Sequence, residues 1–248
     1  MKKMLHLFFL MLLMFDSSRA GDLLSWEVDL EERPEGEVCF LSGTLFDLKK
    51  TKGAGPSDIM RNGQVDSQAF QARLASYLKK WETRELARYY RWHEMLYAVY
   101  FYMPFTCETL TSKMIVREER STPSAVVLLY RGKVKSPVSG TIRFCGVGDD
   151  YLGVNFGGQT VLESRNGCYT TGKTIEVKEN EYYQLNILIA NESGAIGYAL
   201  LWEPVFQPAL QKPYLFRTAL ALPLNGSQSK PSLPDFEPDS PIWFSKYR

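Results

Sequence analysis

The stretch from Ala125 to Trp202 restricts the fold most, because it consists of short strand-like segments separated by turn residues. The segments are AVVLLY, TIRFCGV, DDYLGVNF, QTVLES, KTIEVK, YYQLNILIA and AIGYALLW. Gly157-Gly158 and Asn166-Gly167 mark tight turns between them. No helical periodicity alternates with the segments, as it would in a parallel sheet. The stretch therefore predicts a mainly β protein, built as an antiparallel β-sandwich.

One earlier segment has helical periodicity. It begins after Asp66, a candidate N-cap, and its apolar residues recur at spacings of three and four. These residues are Phe70, Leu74, Tyr77, Leu78 and Trp81. We interpret the stripe as a core-packing face and predict a helical insertion near 66–92. The charged and aromatic residues between Glu82 and His93 indicate a second short helix, and MLYAVYFYMP indicates a strand that ends at Pro104.

The N-terminus has the pattern of a secretory signal peptide, 1–20. A basic start precedes an apolar run, Met4 to Phe15, and a small residue, Ala20, stands at the expected cleavage point. We therefore expect an exported protein that is periplasmic, cell-surface or secreted, with no membrane insertion after cleavage. Cleavage removes three cationic side chains and one carboxylate, so the net charge falls from +1 to −1. A charge so close to neutral argues against nucleic acid as a partner.

The four cysteines all follow the predicted signal peptide. They are Cys39, Cys107, Cys145 and Cys168. An even number of cysteines in an exported chain is compatible with two disulfides, and the spacing leaves all three pairings open. Buried free thiols are the alternative. His93 is the one histidine left after cleavage, and no Cys-x-x-Cys pair is present, which argues against a structural zinc site.

Residues 207–248 form a tail in which proline recurs throughout. Proline lacks the backbone donor that a strand or helix needs, so this composition favours extended chain. Trp243 and Phe244 make the tail a candidate docking strap, and a disordered linker is the other interpretation. Residues 21–36 are acidic and irregular, and we interpret them as a lead-in to the domain.

Two stretches that flank a variable loop carry a resemblance to a known family. They read SGTIRFCGVGDDYLGVNFGGQTVLE and EVKENEYYQLNILIANESGAIGYALLW. Their order of features resembles the protective-antigen/flocculin β-sandwich, also called the PA-fourteen domain. The resemblance implies a sandwich that binds or scaffolds, over 37–206 of this chain. The segment GTLFDLKK and the strand near Phe101 are then expected to supply its other strands.

In the sugar-binding branch of that family, two adjacent aspartates join through a cis peptide and hold Ca²⁺, which holds sugar hydroxyls. The matching residues are Asp149 and Asp150, and Asn191 is the candidate for the asparagine ligand from a later loop. Oxygen ligands of this kind are those that Ca²⁺ prefers. The alternative is that the two aspartates cap a turn through backbone N–H groups.

Further expectations concern the surroundings of this turn. Tyr151 and Tyr169 are candidates to stack on a sugar ring, and a disulfide between Cys145 and Cys168 is a candidate brace for the loop. Adjacent carboxylates in one turn suit a metal better than the separated pair of a glycosidase. A nucleophilic triad usually needs a histidine base, and His93 has no nucleophile elbow to accompany it. We therefore expect no enzyme.

The sequence leaves two functions open. The first is a binding module for a glycan, with Ca²⁺ as the cofactor. The second is a structural or assembly protein of the cell envelope that docks a protein partner, with the proline-rich tail as the strap.

Overall fold

The computed structural model describes residues 27–28, 41–82, 84–93, 96–98, 101–106, 124–194, 196–205 and 214–216. The predicted signal peptide, Cys39 and Cys107 lie outside the described residues, as do almost all of the lead-in and of the proline-rich tail. The domain boundaries at 36/37 and 206/207 therefore stay predictions.

Fifteen strands and one α-helix make up the described part. The strands are β1 (Glu27–Val28), β2 (Leu41–Thr51), β3 (Met60–Arg61), β4 (Gln64–Val65), β5 (Tyr89–Arg91), β6 (Leu96–Ala98), β7 (Tyr102–Thr106), β8 (Val126–Lys135), β9 (Gly140–Gly148), β10 (Tyr151–Phe156), β11 (Gln159–Arg165), β12 (Thr170–Val177), β13 (Tyr182–Asn191), β14 (Ile196–Pro204) and β15 (Tyr214–Leu215). The helix, α1, spans Ser67–Lys80, and a 3₁₀ turn spans Leu86–Arg88. In the described part no helix is long and apolar enough to cross a membrane.

The strands form two large antiparallel sheets, and β3 and β4 pair with each other in a separate two-stranded sheet. The larger has the order β11-β10-β13-β8-β2-β5, with β1 also paired to β8 and β6 to β2. The smaller has the order β12-β9-β14-β15, with β7 also paired to β14. Strands β11 and β12 are consecutive in the chain but lie in different sheets, and Gly172 lets them approach closely. A Cβ there would lie 2.3 Å from the carbonyl oxygen of Val161. The predicted antiparallel β-sandwich is therefore confirmed.

The main core fills the space between the two sheets. Alternate residues of each strand point inward, as the period of two requires. From the larger sheet come Leu128, Val154, Ile187 and others, and from the smaller sheet Ile142, Phe144, Leu200 and Trp202. The predicted hairpin at Gly157-Gly158 closes β10 onto β11 in two residues, both with positive φ (58° and 85°). A tight turn of this type matches the twist of its strands.

Helix α1 packs on the outer face of the larger sheet and forms a second core there. Its predicted apolar residues lie in one cluster with Phe46, Val127, Leu129 and Leu188 of the sheet. The helix begins where expected, because the carboxylate of Asp66 accepts the N–H of Ala69 at 3.0 Å. It ends at Trp81, which has left-handed backbone angles. The molecule thus has three layers, helix on sheet on sheet.

The segment after α1 departs from its predicted structure. A second short helix was expected between Glu82 and His93, but the chain makes only the 3₁₀ turn and then strand β5, which pairs with β2. The single strand predicted up to Pro104 is two strands, β6 and β7. They belong to different sheets, since β6 pairs with β2 and β7 with β14. Pairing with distant strands determines the structure of both segments. Their charged and aromatic residues follow neither the helical nor the strand period, so the sequence pattern could not predict it.

Candidate ligand site at the Asp149–Asp150 turn

Asp149 and Asp150 form the two-residue connection between β9 and β10. The backbone N–H of Asp149 donates to the carbonyl oxygen of Gly197 at 2.9 Å. The carbonyl oxygen of Asp150 accepts the N–H of Asn166 at 3.2 Å. These contacts fix the turn on two sides, because Gly197 lies near the start of β14 and Asn166 belongs to the turn between β11 and β12. The turn is therefore hydrogen-bonded to both neighbouring segments at one end of the sandwich.

The carboxylate of Asp150 joins this turn to the loop after β13. Its Oδ2 accepts the backbone N–H of Glu192 at 2.5 Å, and Glu192 directly follows Asn191. The register of β10 and β13 pairs Tyr151 with Ala190, which brings the ends of the two strands together. The structure thus brings the predicted residues Asp149, Asp150 and Asn191 to the same end of the molecule. Asn191 itself is fully buried.

Burial raises the pKa of the Asp150 carboxyl above its ordinary value. The backbone N–H groups of Glu192 and Ser193 oppose this shift, and the nearby Glu192 carboxylate adds to it. A nearby cation would stabilise the ionised form of a half-buried carboxylate that has a second carboxylate beside it. The same contacts show that Asp150 caps the loop, as the alternative interpretation of the paired aspartates expected.

Helix α1 reaches this loop, which the sequence did not indicate. The side-chain amide of Gln71 donates to Oε2 of Glu192 at 3.0 Å. The carbonyl oxygen of Glu192 accepts the N–H of Ala125, at 2.8 Å. Glu192 thus links the helix, the residue before β8 and the Asp150 carboxylate. The only sequence signal for Glu192 was its position next to Asn191. The only signal for Gln71 was its place on the polar side of the helix.

The donor set fits Ca²⁺. A carboxylate has about four lone-pair positions, so Asp150 can accept backbone N–H groups and still bind an ion. Asp149 and Asn191 add two further oxygen-bearing side chains of the kind that Ca²⁺ prefers. The implied cis peptide is not found, because every peptide bond of the described residues is trans. In the same residues, no three side chains of His, Cys, Asp or Glu cluster as a metal site.

The two tyrosines expected to stack on a sugar do not share a surface. Tyr151 is 1% exposed and lies in the cluster beneath α1, with its hydroxyl buried. Tyr151 is a core residue, so the prediction that it stacks on a sugar ring is wrong. The periodicity of β10 explains this, because Leu152 and Val154 fill the inter-sheet core and Tyr151 must face the helix side. Tyr169 is half-buried against the outer face of the smaller sheet.

The expected brace between Cys145 and Cys168 is absent, since both thiols are free. Cys145 is buried in the small cluster on the outer face of the smaller sheet, whereas Cys168 is exposed. The Cys145 thiol lies 3.7 Å from Oε1 of Glu203, which also pairs with Arg143. Burial raises the pKa of Cys145, so the thiol is protonated and unreactive at neutral pH.

No protein-family model matches this sequence, and no curated protein matches it. Several solved structures are similar to this chain in fold. The PA14 domain of the antifreeze protein MpAFP is similar with a TM-score of 0.48 at 12% identity, over 77% of this chain and 94% of that one. A PA14 sugar-binding domain from an RTX adhesin has a TM-score of 0.48 at 15% identity, over 73% and 96%. The epithelial adhesin 9 A domain of Candida glabrata, solved with Galβ1-4GlcNAc, has a TM-score of 0.46 at 14% identity, over 79% and 96%. These structures include domains of the family that the sequence resembles.

Proposed function

We propose that this protein is an exported binding module that holds a glycan through Ca²⁺ at the Asp149–Asp150 turn. The observation that carries the proposal is the placement of Asp150. Its carboxylate is half-buried, and it meets the loop that follows Asn191 at one end of the sandwich.

Each residue of the site has a distinct part. Asp149 and Asp150 supply carboxylate oxygens from one turn, and Asn191 supplies an amide oxygen from the end of β13. Bound Ca²⁺ offers coordination positions that sugar hydroxyls can fill. The backbone hydrogen bonds of the turn lower the ordering cost of binding, because fewer torsions remain to be fixed. Glu192 holds the loop against Asp150 and is itself oriented by Gln71.

Calorimetric titration of Ca²⁺ into the chain from Gly21 onward tests the proposal. We expect saturable binding by the wild type, and a loss of about tenfold or more in affinity for Asp149→Asn and for Asp150→Asn, since each removes one charge from the ligand set. The matched control is Glu179→Gln, which removes an exposed carboxylate between β12 and β13 and leaves binding unchanged. A glycan array with Ca²⁺, repeated with EDTA, then identifies the sugar.

A folded wild type that binds no Ca²⁺ contradicts the proposal. Asp150 then acts only as a cap of the loop at Glu192, and its replacement by Asn lowers thermal stability without any effect on ligands. That outcome favours the second function, a structural or assembly protein of the cell envelope that docks a protein partner. Pull-downs with the full chain and with a chain that ends at Pro223 test for a protein partner that needs the proline-rich tail.

A further inference from the structure

The outer face of the smaller sheet carries an apolar trough. Its floor consists of four small or aliphatic residues on the neighbouring strands β9 and β14. They are Cys145, Val147, Ala199 and Leu201. Tyr102 at the start of β7 and Tyr169 just before β12 pack against this floor from its two sides. The two walls stand on strands that are three spacings apart, or about 14 Å.

The floor of the trough is buried. Its four residues are at most 8% exposed, and Ala199 is not exposed at all. The two tyrosines stand at the sides and are themselves only half-buried. Within the described part, no other apolar side chain packs against the floor. The burial of this floor therefore requires a further apolar segment that removes it from water.

The end of β15 brings the chain to this trough. Strands β15 and β7 lie end to end along the same edge of β14, and both run antiparallel to it. The carbonyl oxygen of Phe216, directly after β15, accepts the N–H of Phe101, directly before β7, at 3.3 Å. Strand β7 thus occupies the edge along which β15 would continue. The chain must therefore leave the sheet after Phe216.

The inner side of the sheet is already filled at this point. The rings of Phe101 and Phe216 are 5.7 Å apart, and both residues are fully buried in the core between the sheets. The chain that enters β7 also comes from that side, because β6 belongs to the larger sheet. Protein interiors are close-packed and leave no room for another strand. The outer face, which holds the trough, is therefore the side open to the residues after Phe216.

The sequence after Phe216 suits a cover for the trough. Residues 217–224 read RTALALPL, with leucine at positions 220, 222 and 224 and alanine or proline between them. In an extended chain residues two apart point to the same side, so the three leucines form one apolar face. Proline at position 223 favours an extended backbone. From Asn225 onward the sequence is polar and proline-rich, so this apolar run ends at Leu224.

We propose that residues 217–224 lie extended across the trough of the same molecule, with Leu220 and Leu222 on its floor. Eight extended residues span about 26 Å, which exceeds the width between the two tyrosines. The domain then includes this segment and ends near Leu224 instead of at residue 206. Only residues 225–248, with Trp243 and Phe244, are left as an arm for a partner. The proposal is independent of the calcium site at the Asp149–Asp150 turn.

Labelling of the Cys145 thiol in the folded protein tests the proposal, because Cys145 belongs to the trough floor. The chain from Gly21 onward is treated with N-ethylmaleimide under native conditions, and labelled peptides are quantified by mass spectrometry. Exposed Cys168 labels in every variant and serves as the internal reference. In Leu220→Asp/Leu222→Asp, Cys145 should label about tenfold faster or more, because the cover opens more often. The matched control Leu233→Asp/Phe236→Asp, further along the tail, should leave the rate within about twofold of wild type.

Disulfide cross-linking provides a second measurement if the double variant proves unstable. Cysteine is introduced as Leu220→Cys, as Leu222→Cys and, for the control, as Leu233→Cys. The oxidised proteins are then mapped for a bond to Cys145. We expect an intrachain disulfide from Leu220→Cys or Leu222→Cys and none from the control, because a disulfide requires Cα atoms within about 7 Å of each other.

Four outcomes overturn the proposal. Rapid labelling of Cys145 in the wild type means that the trough is open. Equal slow labelling in the wild type and in a folded Leu220→Asp/Leu222→Asp variant means that another segment covers it. Equal acceleration in both double variants means that the effect does not depend on residues 217–224. A disulfide that joins two molecules means that the tail of a second copy occupies the trough.

Discussion

Replacement of Tyr151 by Phe and by Ala separates a packing role from a ligand-stacking role. The ring lies under α1, with the guanidinium of Arg165 5.4 Å from its centroid. Gly153 makes room for it, since a Cβ there would lie 2.7 Å from Cε1 of Tyr151. The hydroxyl is buried and meets no hydrogen-bond partner within the described residues. The aromatic ring therefore stabilises the fold, and the hydroxyl costs stability.

The two substitutions should act in opposite directions. A buried polar group without a partner costs about 1–3 kcal/mol, so Tyr151→Phe should stabilise the protein by up to that amount. Truncation of a buried aromatic ring costs about 3–5 kcal/mol, which is the expected loss for Tyr151→Ala. In a domain of this size, about 2–4 °C in Tm accompanies each kcal/mol. We therefore expect Tm to rise by about 2–12 °C for Phe and to fall by about 6–20 °C for Ala.

Thermal and urea unfolding, followed by circular dichroism, measures both variants. A Tyr151→Phe protein that loses more than about 1 kcal/mol would refute the reasoning, because the hydroxyl must then have a partner such as an ordered water. The affinity of both variants for Ca²⁺ and for glycans provides a second measurement. Phe is expected to leave both unchanged, whereas a loss of sugar binding in a stable Phe variant would restore Tyr151 to the ligand site.

Three further predictions concern the frame of the fold. The Tyr89 hydroxyl and two arginines outweigh burial and hold the pKa of Asp58 below its ordinary value of 3.8. Its stabilisation is therefore present above that pH and is lost as pH falls through the folded pKa. Urea unfolding should show Asp58→Asn less stable than wild type at pH 7, with a difference that shrinks as the pH is lowered below 3.8. Gly43→Ala should cost about 1–3 kcal/mol in the same assay, because the added Cβ would lie 2.5 Å from Cε1 of Tyr130. Removal of the N-cap by Asp66→Ala should cost about 1 kcal/mol, whereas Ser76→Ala inside the same helix should cost nothing.

The helix between the first strands of the larger sheet borders the proposed site. Its polar side reaches the loop after β13 through the contact of Gln71 with Glu192. Its apolar side packs on the outer face of the sheet, over Phe46, Val127, Leu129 and Leu188. A sandwich without this helix would expose that apolar surface to water. The insertion thus decides which part of the outer face is available to a ligand.

Local patterns in the sequence predicted the strands from Ala125 to Trp202, the Gly157-Gly158 hairpin and the helix after Asp66. These features depend on neighbours within a few residues, such as glycines that allow positive φ, a capping carboxylate, or apolar spacings of three and four. The prediction of a single strand around Leu96 and Tyr102 was wrong because it also relied on local pattern alone. Its two strands are defined by partners in different sheets, and no local pattern reports a distant partner.

For the candidate site, the resemblance that the sequence carries singled out Asp149, Asp150 and Asn191, and the pattern of DDYLGVNF predicted a strand that includes Tyr151. Only the tertiary structure decided that the Asp150 carboxylate meets the N–H of Glu192 and that Tyr151 faces the helix rather than water. The physical reason is that a strand's period fixes only which residues share a face. What covers that face depends on how sheets and helix pack over long distances in the chain.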